Sequence, residues 1–323
     1  MSRHKLVFLD AATYGDVPLK RFFDRWECTV HQVTRPAETI RRLAGHSIAV
    51  TNKVVIDETV LSSAEARELK LIAVAATGTD IIDADAAGKF GVTVCNVPGY
   101  ATQSVSQFTM ALILELATRA SRYGQSVKNG DWQKSPVFTL VNQASIELSG
   151  KKLGIVGYGT IGKTVAQIAR SLGMKVLVAA RAGTEGPIPT GRIPVEQLLQ
   201  QSDIVSLHCP LTPQTRNLIN QKTLALMKPT AFLINTARGA LMDEGALIQA
   251  LREKRLAGAA LDVISREPPP PDHPVILAGR ELNNLIITPH TAWSAREARE
   301  RLLSEVAENI DCFFVGTPRN VVA

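Results

Sequence analysis

The sequence predicts an α/β protein of two domains, each a doubly wound parallel sheet. Three observations predict it. Residues 152–162 read KLGIVGYGTIG, an apolar strand that runs into Gly157, Gly159 and Gly162 at GxGxxG spacing. An amphipathic helix follows over Thr160 to Leu172, with Val165, Ile168, Ala169 and Leu172 on one face, and a second apolar strand, Lys175 to Ala179, comes at once. The segment before the turn carries its own alternation of short apolar runs and helical stretches, and 323 residues, 45% hydrophobic, are enough for two cores.

In chain order, strands are expected at Leu6 to Leu9, Thr29 to Val33, Ile48 to Thr51, Leu71 to Ala75 and Thr93 to Asn96. Helical segments between them include Thr39 to Leu43 and Asp57 to Ser63. Val105, Phe108, Leu112 and Leu116 recur every three or four residues and predict one long helix from Gln103 to Arg122. Beyond the glycine turn, strands at Ile204 to His208, Ala231 to Asn235, Gly258 to Val263 and Leu285 to Thr288 alternate with helices such as Asp243 to Lys254. The last amphipathic helix, Ser294 to Val315, is expected to return to the first domain. The division is then 1–100 with 293–323, and 101–292.

Composition narrows the function classes. The formal charge is +6, but basic residues alternate with acidic or apolar ones and form no basic run, so nucleic acid is not expected as a partner. A mildly positive field suits a small anionic substrate. No apolar run approaches the length of a membrane span, and the segment after Met1 reads as a first strand. Cys28, Cys95, Cys209 and Cys312 are scattered with no CxxC pair, so no metal site is expected and reduced thiols fit a cytoplasmic protein.

The glycine turn points to a Rossmann-type cofactor site. Gly157 allows the tight turn, Gly159 lets backbone N–H groups approach a pyrophosphate, and Gly162 lets the helix pack close to the strand. An NAD site normally carries Asp or Glu about 20 residues on, bonding the ribose 2′-OH. Here the second strand ends Ala179-Ala180-Arg181. Arg181 either meets a 2′-phosphate, which makes NADP(H) preferred over NAD(H), or is a surface arginine.

Three polar residues follow strands of the second sheet at their C-terminal ends, where ligands of open α/β sheets bind. They are Arg238 in NTARG, Glu267 in DVISREPPP and His290 in TPH. Taken singly each has an ordinary explanation. Together they suit one reaction: a guanidinium fork binds a carboxylate, a histidine exchanges a proton, and a carboxylate beside it orients the ring.

With those residues in place, the chain resembles the D-isomer-specific 2-hydroxyacid dehydrogenases nearly end to end. The supporting motifs are ATGTDIID at Ala76 to Asp83, GYGTIG, SLHCPLTPQT at Ser206 to Thr215, NTARG, DVISREPP and TPHTAW. The glycerate dehydrogenase or hydroxypyruvate reductase branch looks nearest, on Val50 to Val54, Val74 to Thr79 and Trp293. The resemblance implies a flavodoxin-like substrate domain beside the Rossmann-type one, and a two-fold homodimer built partly on residues 103–132. It implies that Arg238 holds the substrate carboxylate, that backbone N–H groups near Thr77, Gly78 and Thr79 complete its binding, and that His290 is the acid and base oriented by Glu267. It further places Thr160 and Ile161 at the pyrophosphate, and His208, Cys209, Pro210 and Thr215 on the adenosine side. Thr236, Ala237, Arg238, Asp262, His290 and Ala292 would face the nicotinamide end. Lys53 either adds a positive charge at the substrate or is solvated, and Trp293 either narrows the pocket or packs under the last helix.

The implied reaction is hydride transfer between NAD(P)H and a small 2-keto acid such as hydroxypyruvate or glyoxylate. A broad-specificity dehydrogenase is the alternative enzyme. From another class, a non-catalytic NAD(H)-sensing co-repressor shares the scaffold. Formate dehydrogenase, whose histidine pairs with glutamine, is disfavoured by Glu267. Gln107 stands where many relatives carry Glu.

Overall fold

Short runs such as LVF, IAVT and LIAV are apolar throughout and buried on both faces, the pattern of strands inside parallel sheets covered by helices. The computed structural model describes residues 4–183 and 186–323. The chain divides into two compact units, Met1–Ala101 with Ser294–Ala323, and Thr102–Trp293.

The first unit holds a five-stranded sheet of β1 (Lys5–Phe8), β2 (Glu27–Val30), β3 (Ile48–Thr51), β4 (Leu71–Val74) and β5 (Thr93–Cys95). All pairings are parallel and the order is β2-β1-β3-β4-β5, a flavodoxin-like arrangement. The order reverses at β1, so the residues after β1 and β3 share the switch point. There the buried Asp10 carboxylate accepts the N–H groups of Asn52 and Lys53 at 2.6 to 3.0 Å, and burial pushes its pKa up. The final helix, Arg296–Phe314, packs on β4. The residues after it pair with β5, Val94 N–H donating to Ala323 O at 2.7 Å and Val322 N–H to Val94 O at 2.8 Å.

The second unit holds a six-stranded parallel sheet of β6 (Lys152–Val156), β7 (Lys175–Val178), β8 (Ile204–Leu207), β9 (Phe232–Asn235), β10 (Gly258–Leu261) and β11 (Leu285–Ile287). Its order is β11-β10-β9-β8-β6-β7, and an isolated parallel bridge, Ala179 to Ile193, sits where the third strand of a dinucleotide-binding half would lie. The α/β doubly wound fold class read from the sequence is therefore borne out. Leu198, Leu199, Leu207, Leu233, Leu247, Leu251 and Leu261 fill one face of the sheet, and Ile113, Leu116, Ile155, Val165, Ala169 and Ile234 the other. The switch point lies between β6 and β8, and the glycine turn follows β6 directly.

Two elements differ from expectation: β2 is Glu27–Val30 rather than Thr29 to Val33, and one helix is broken. The predicted helix Gln103 to Arg122 is two helices, Thr102–Thr118 and Ala120–Lys128, because Arg119 takes the left-handed conformation at φ 58°. Apolar periodicity continues across Arg119, so the side-chain pattern carries no trace of that backbone break. The four cysteines are free. Among the described residues, no helix is long and apolar enough to cross a membrane, and no group of three or more His, Cys, Asp or Glu is placed to hold a metal ion.

Candidate active site

The glycine turn is built by close approach. Gly157 has φ +95°, and a Cβ there would stand 2.3 Å from Cys209 N and 2.4 Å from the His208 carbonyl carbon, so the turn lies directly against the end of β8. A Cβ on Gly162 would meet Gly157 O at 2.2 Å, which is how helix Thr160–Ser171 sits tightly on the turn. Gly159 is the N-cap of that helix and brings no side-chain cap, and a Cβ on it would meet nothing within 4 Å. The first helical N–H groups have no partner within the helix, and the space before them is open, so this terminus fits a pyrophosphate. Bound there, a nicotinamide dinucleotide supplies or accepts a hydride.

Three strand ends supply the polar groups. After β9, fully buried Asn235 shapes the NTARG turn: its Oδ1 accepts Ala237 N–H at 3.0 Å and its Nδ2 donates to Arg238 O at 2.9 Å. Arg238 follows in extended conformation, and its guanidinium Nη1 donates to Ala237 O at 2.9 Å. Thr236 Oγ1 lies 3.0 Å from Thr109 Oγ1 of helix Thr102–Thr118, which pins the turn from below.

After β10, Asp262 is 1% exposed and anchors the loop that bears His290. Its Oδ1 accepts Thr288 Oγ1–H at 2.6 Å and Thr291 N–H at 2.9 Å, and its Oδ2 accepts Ala292 N–H at 2.9 Å. Most of a carboxylate's acceptor capacity is thereby committed to the protein itself. His290 adopts φ 50°, the left-handed region uncommon for non-glycine residues, and its N–H donates to Asp262 O at 2.8 Å. Trp293 Nε1–H donates to His290 O at 2.9 Å, and Ser104 Oγ–H to Ala292 O at 2.6 Å. The loop is held from both sides.

Glu267 then completes the pair. Its Oε2 lies 2.5 Å from His290 Nδ1, and its Oε1 accepts Ile264 N–H at 2.9 Å. A carboxylate at Nδ1 fixes the proton on that nitrogen, which leaves Nε2 as the ring nitrogen that could meet a ligand. Both side chains remain partly open to solvent, at 27% and 31%.

The β8 end is different in character. Burial lowers the His208 pKa to about 4, so the ring is neutral at physiological pH, with Nε2 2.9 Å from Ser206 Oγ. Burial also pushes the Cys209 thiol up to about 11, as it does for Cys28 and Cys95. Pro210 is exposed, whereas Thr215 is buried and closes the following turn, donating to Pro210 O at 2.8 Å and accepting Thr212 N–H at 2.7 Å. At the end of β7, Ala180 is buried and Arg181 exposed. The structure brings a second cation there that sequence reasoning missed: Arg192 Nη1 donates to Ala179 O at 3.1 Å, and its guanidinium lies 5.8 Å from the Tyr158 ring centroid. The Ala179 to Ile193 bridge returns it to the strand end, a signal too short to read from periodicity.

In the first unit, the Lys53 backbone is fixed by Asp10, as above. Thr77 lies beyond β4, where Thr77 Oγ1–H donates to Val97 O at 2.8 Å and Thr77 O accepts Asn96 Nδ2–H at 2.7 Å. Thr79 O accepts Ile82 N–H at 2.9 Å, and Gly78 lies between these two anchored residues.

Known proteins are similar to this chain along nearly its whole length. The family model described as D-isomer specific 2-hydroxyacid dehydrogenase, NAD binding domain, matches residues 110–292. A glycerate dehydrogenase of Methylorubrum extorquens is 41% identical over 98% of this chain and 98% of its own length. A hydroxypyruvate reductase of Blautia hydrogenotrophica is 36% identical over 98% of this chain and 99% of its own. Among solved structures, an acyclic imino acid reductase in complex with NADPH and D-Arg superposes with TM-score 0.85 at 29% identity, covering 99% of this chain and 100% of that one. With the glycine turn at a helix N-terminus, a histidine and glutamate paired at neighbouring strand ends, and relatives that match from end to end, the chain belongs to the D-isomer specific 2-hydroxyacid dehydrogenases.

Proposed function

We propose that the protein reversibly reduces a small 2-keto acid, hydroxypyruvate or glyoxylate, to D-glycerate or glycolate, with NADPH preferred over NADH. The observation that carries the reaction type is the 2.5 Å contact between His290 Nδ1 and Glu267 Oε2. In the reducing direction His290 Nε2 gives its proton to the C2 oxygen of the substrate, and Glu267 stabilises the ring through the transfer. In oxidation His290 takes the hydroxyl proton back. Arg238 binds the substrate carboxylate through its guanidinium fork, fixing which face of C2 is presented. Residues 1–100 with 293–323 form the substrate-binding domain in this reading, with Lys53 and the N–H groups of Thr77, Gly78 and Thr79 completing the anion site, and Trp293 limiting the size of the pocket. Residues 101–292 bind the cofactor.

The preference for NADPH rests on Ala180 standing where an acid would bond the ribose 2′-OH, and on Arg181 and Arg192 at the end of β7. Two guanidinium groups at that strand end favour a 2′-phosphate. Exposed Phe138 (91%) and Val141 (82%), close in sequence to half-exposed Trp132, support a homodimer that covers them. The free cysteines suit the reducing cytoplasm.

The test is a panel of 2-keto acids of increasing side-chain size, each assayed with NADPH and NADH by loss of reduced-cofactor absorbance. The expected result is highest kcat/KM for hydroxypyruvate or glyoxylate with NADPH. No turnover with any keto acid overturns the reading in favour of a binding protein, and equal turnover of bulky acids replaces it with a broad-specificity enzyme.

A further inference from the structure

The loop that carries Glu267 is held by a second carboxylate lying outside the reacting set. Glu244, at the start of helix Glu244–Arg252, accepts Ser265 N–H on Oε1 at 2.6 Å and Ser265 Oγ–H on Oε2 at 2.7 Å. His273 Nε2 stands 3.7 Å from the same Oε2, beyond hydrogen-bond length, and both side chains are largely buried. One residue earlier, Ile264 N–H donates to Glu267 Oε1. Two successive peptides are therefore held, Val263–Ile264 by Glu267 and Ile264–Ser265 by Glu244.

The Ile264–Ser265 peptide is also where the Arg238 turn rests. A Cβ on Gly239 would stand 2.0 Å from the Ile264 carbonyl carbon, 2.1 Å from its oxygen and 2.4 Å from Ser265 N, so the residue after Arg238 packs backbone to backbone on the Glu267 loop. Any drift of the Ile264–Ser265 peptide moves Glu267 relative to His290 and loosens the seat of Arg238. Contacts this close to the reacting groups matter because a displacement of about 1 Å can cost roughly a hundredfold in rate.

We propose that Glu244 is a positioning residue of this enzyme: it holds the Ile264–Ser265 peptide against Gly239, keeping Glu267 within bonding reach of His290. The inference rests on the reading above that Glu267 and His290 act as a pair. The hydrogen bonds of both Glu244 oxygens go to Ser265. Glu244 acts through the loop, so removing it should lower kcat with the KM for the cofactor unchanged, and should cost more while Glu267 is there to be positioned.

The experiment is a double-mutant cycle on the full-length enzyme, with kcat measured for hydroxypyruvate and NADPH, or for the best pair in the panel. Glu244→Ala is expected to lose about tenfold to a hundredfold in kcat. Glu244→Gln, whose side chain can still accept Ser265 N–H and donate to Ser265 Oγ, is expected to restore kcat to within about twofold of wild type. The loss from Glu244→Ala is expected to be several-fold smaller in the Glu267→Gln background than in wild type. Glu244→Asp is run in parallel, because it keeps an acid in the first helical turn while falling one methylene short of Ser265, so the cycle survives if the alanine variant does not fold. Equal losses from Glu244→Ala in the wild-type and Glu267→Gln backgrounds overturn the proposal, as does wild-type kcat in Glu244→Asp beside an impaired Glu267→Gln. Wild-type kcat in Glu267→Gln itself removes the catalytic role of Glu267, and the positioning role of Glu244 falls with it.

Discussion

His290 Nδ1 lies 2.5 Å from Glu267 Oε2 although the two residues come from different strand ends, and His290 holds a left-handed backbone to get there. That conformation is sustained by Asp262, which binds the loop at Thr288, Thr291 and Ala292. The expected consequence is that His290→Ala lowers kcat by about 10²- to 10⁴-fold, the usual worth of a positioned acid or base. Steady-state assay of the purified variant checks this, and near-wild-type kcat would remove His290 from the reaction.

Arg238→Ala should raise KM for the keto acid and lower kcat together, because in the proposed reaction the guanidinium would hold the substrate in both ground and transition states. Arg238→Lys should recover little, since an ammonium lacks the planar fork. Steady-state constants for the two variants decide it, and full recovery by lysine would show that charge alone suffices.

Arg192→Ala and Arg181→Ala should each weaken NADPH more than NADH. A charge-assisted hydrogen bond contributes about 1.5 to 3 kcal/mol, so the kcat/KM ratio of the two cofactors should shift by roughly tenfold or more. An unchanged ratio in both variants would sink the phosphate role of this strand end.

His208 should remain neutral down to about pH 4. With the folded value depressed below the ordinary 6.5, the unfolded chain binds the extra proton first as pH falls. The stability this group contributes is therefore complete above pH 6.5 and is lost as pH drops toward 4. Denaturant titrations of wild type and His208→Gln between these limits should show wild type losing more stability, and parallel losses would contradict the neutral ring.

Gly162→Ala should destabilise the second unit by about 1 to 3 kcal/mol, because the added methyl meets Gly157 O at 2.2 Å and the helix must move off the turn. The same shift should raise the KM for the cofactor. Chemical denaturation and cofactor titration test the two effects separately.

Much of this arrangement is legible in the residues themselves. The strands at Ile48–Thr51, Leu71–Val74 and Phe232–Asn235 stand out as apolar runs because parallel strands are buried on both faces. The turn at Gly157 and Gly162 is readable because a Cβ at either would stand within 2.3 Å of a backbone atom, which only glycine avoids. Arg119 was not readable, since a left-handed residue without Gly or Pro leaves no mark on helical periodicity. Nor was Glu244, whose position is that of any acidic residue in a first helical turn and whose partner lies 21 residues away.

By itself, then, the sequence determined the fold class, the nucleotide-type turn and the family, because these depend on local patterns: apolar period, glycine spacing and short motifs. Only the tertiary structure decided which side chains meet. It set Glu267 on His290 Nδ1, turned most of Asp262 to holding a loop, returned Arg192 to the end of β7, and seated Gly239 on the Ile264–Ser265 peptide. Those outcomes depend on how strands distant in sequence pack side by side, where differences of an ångström decide whether a hydrogen bond exists.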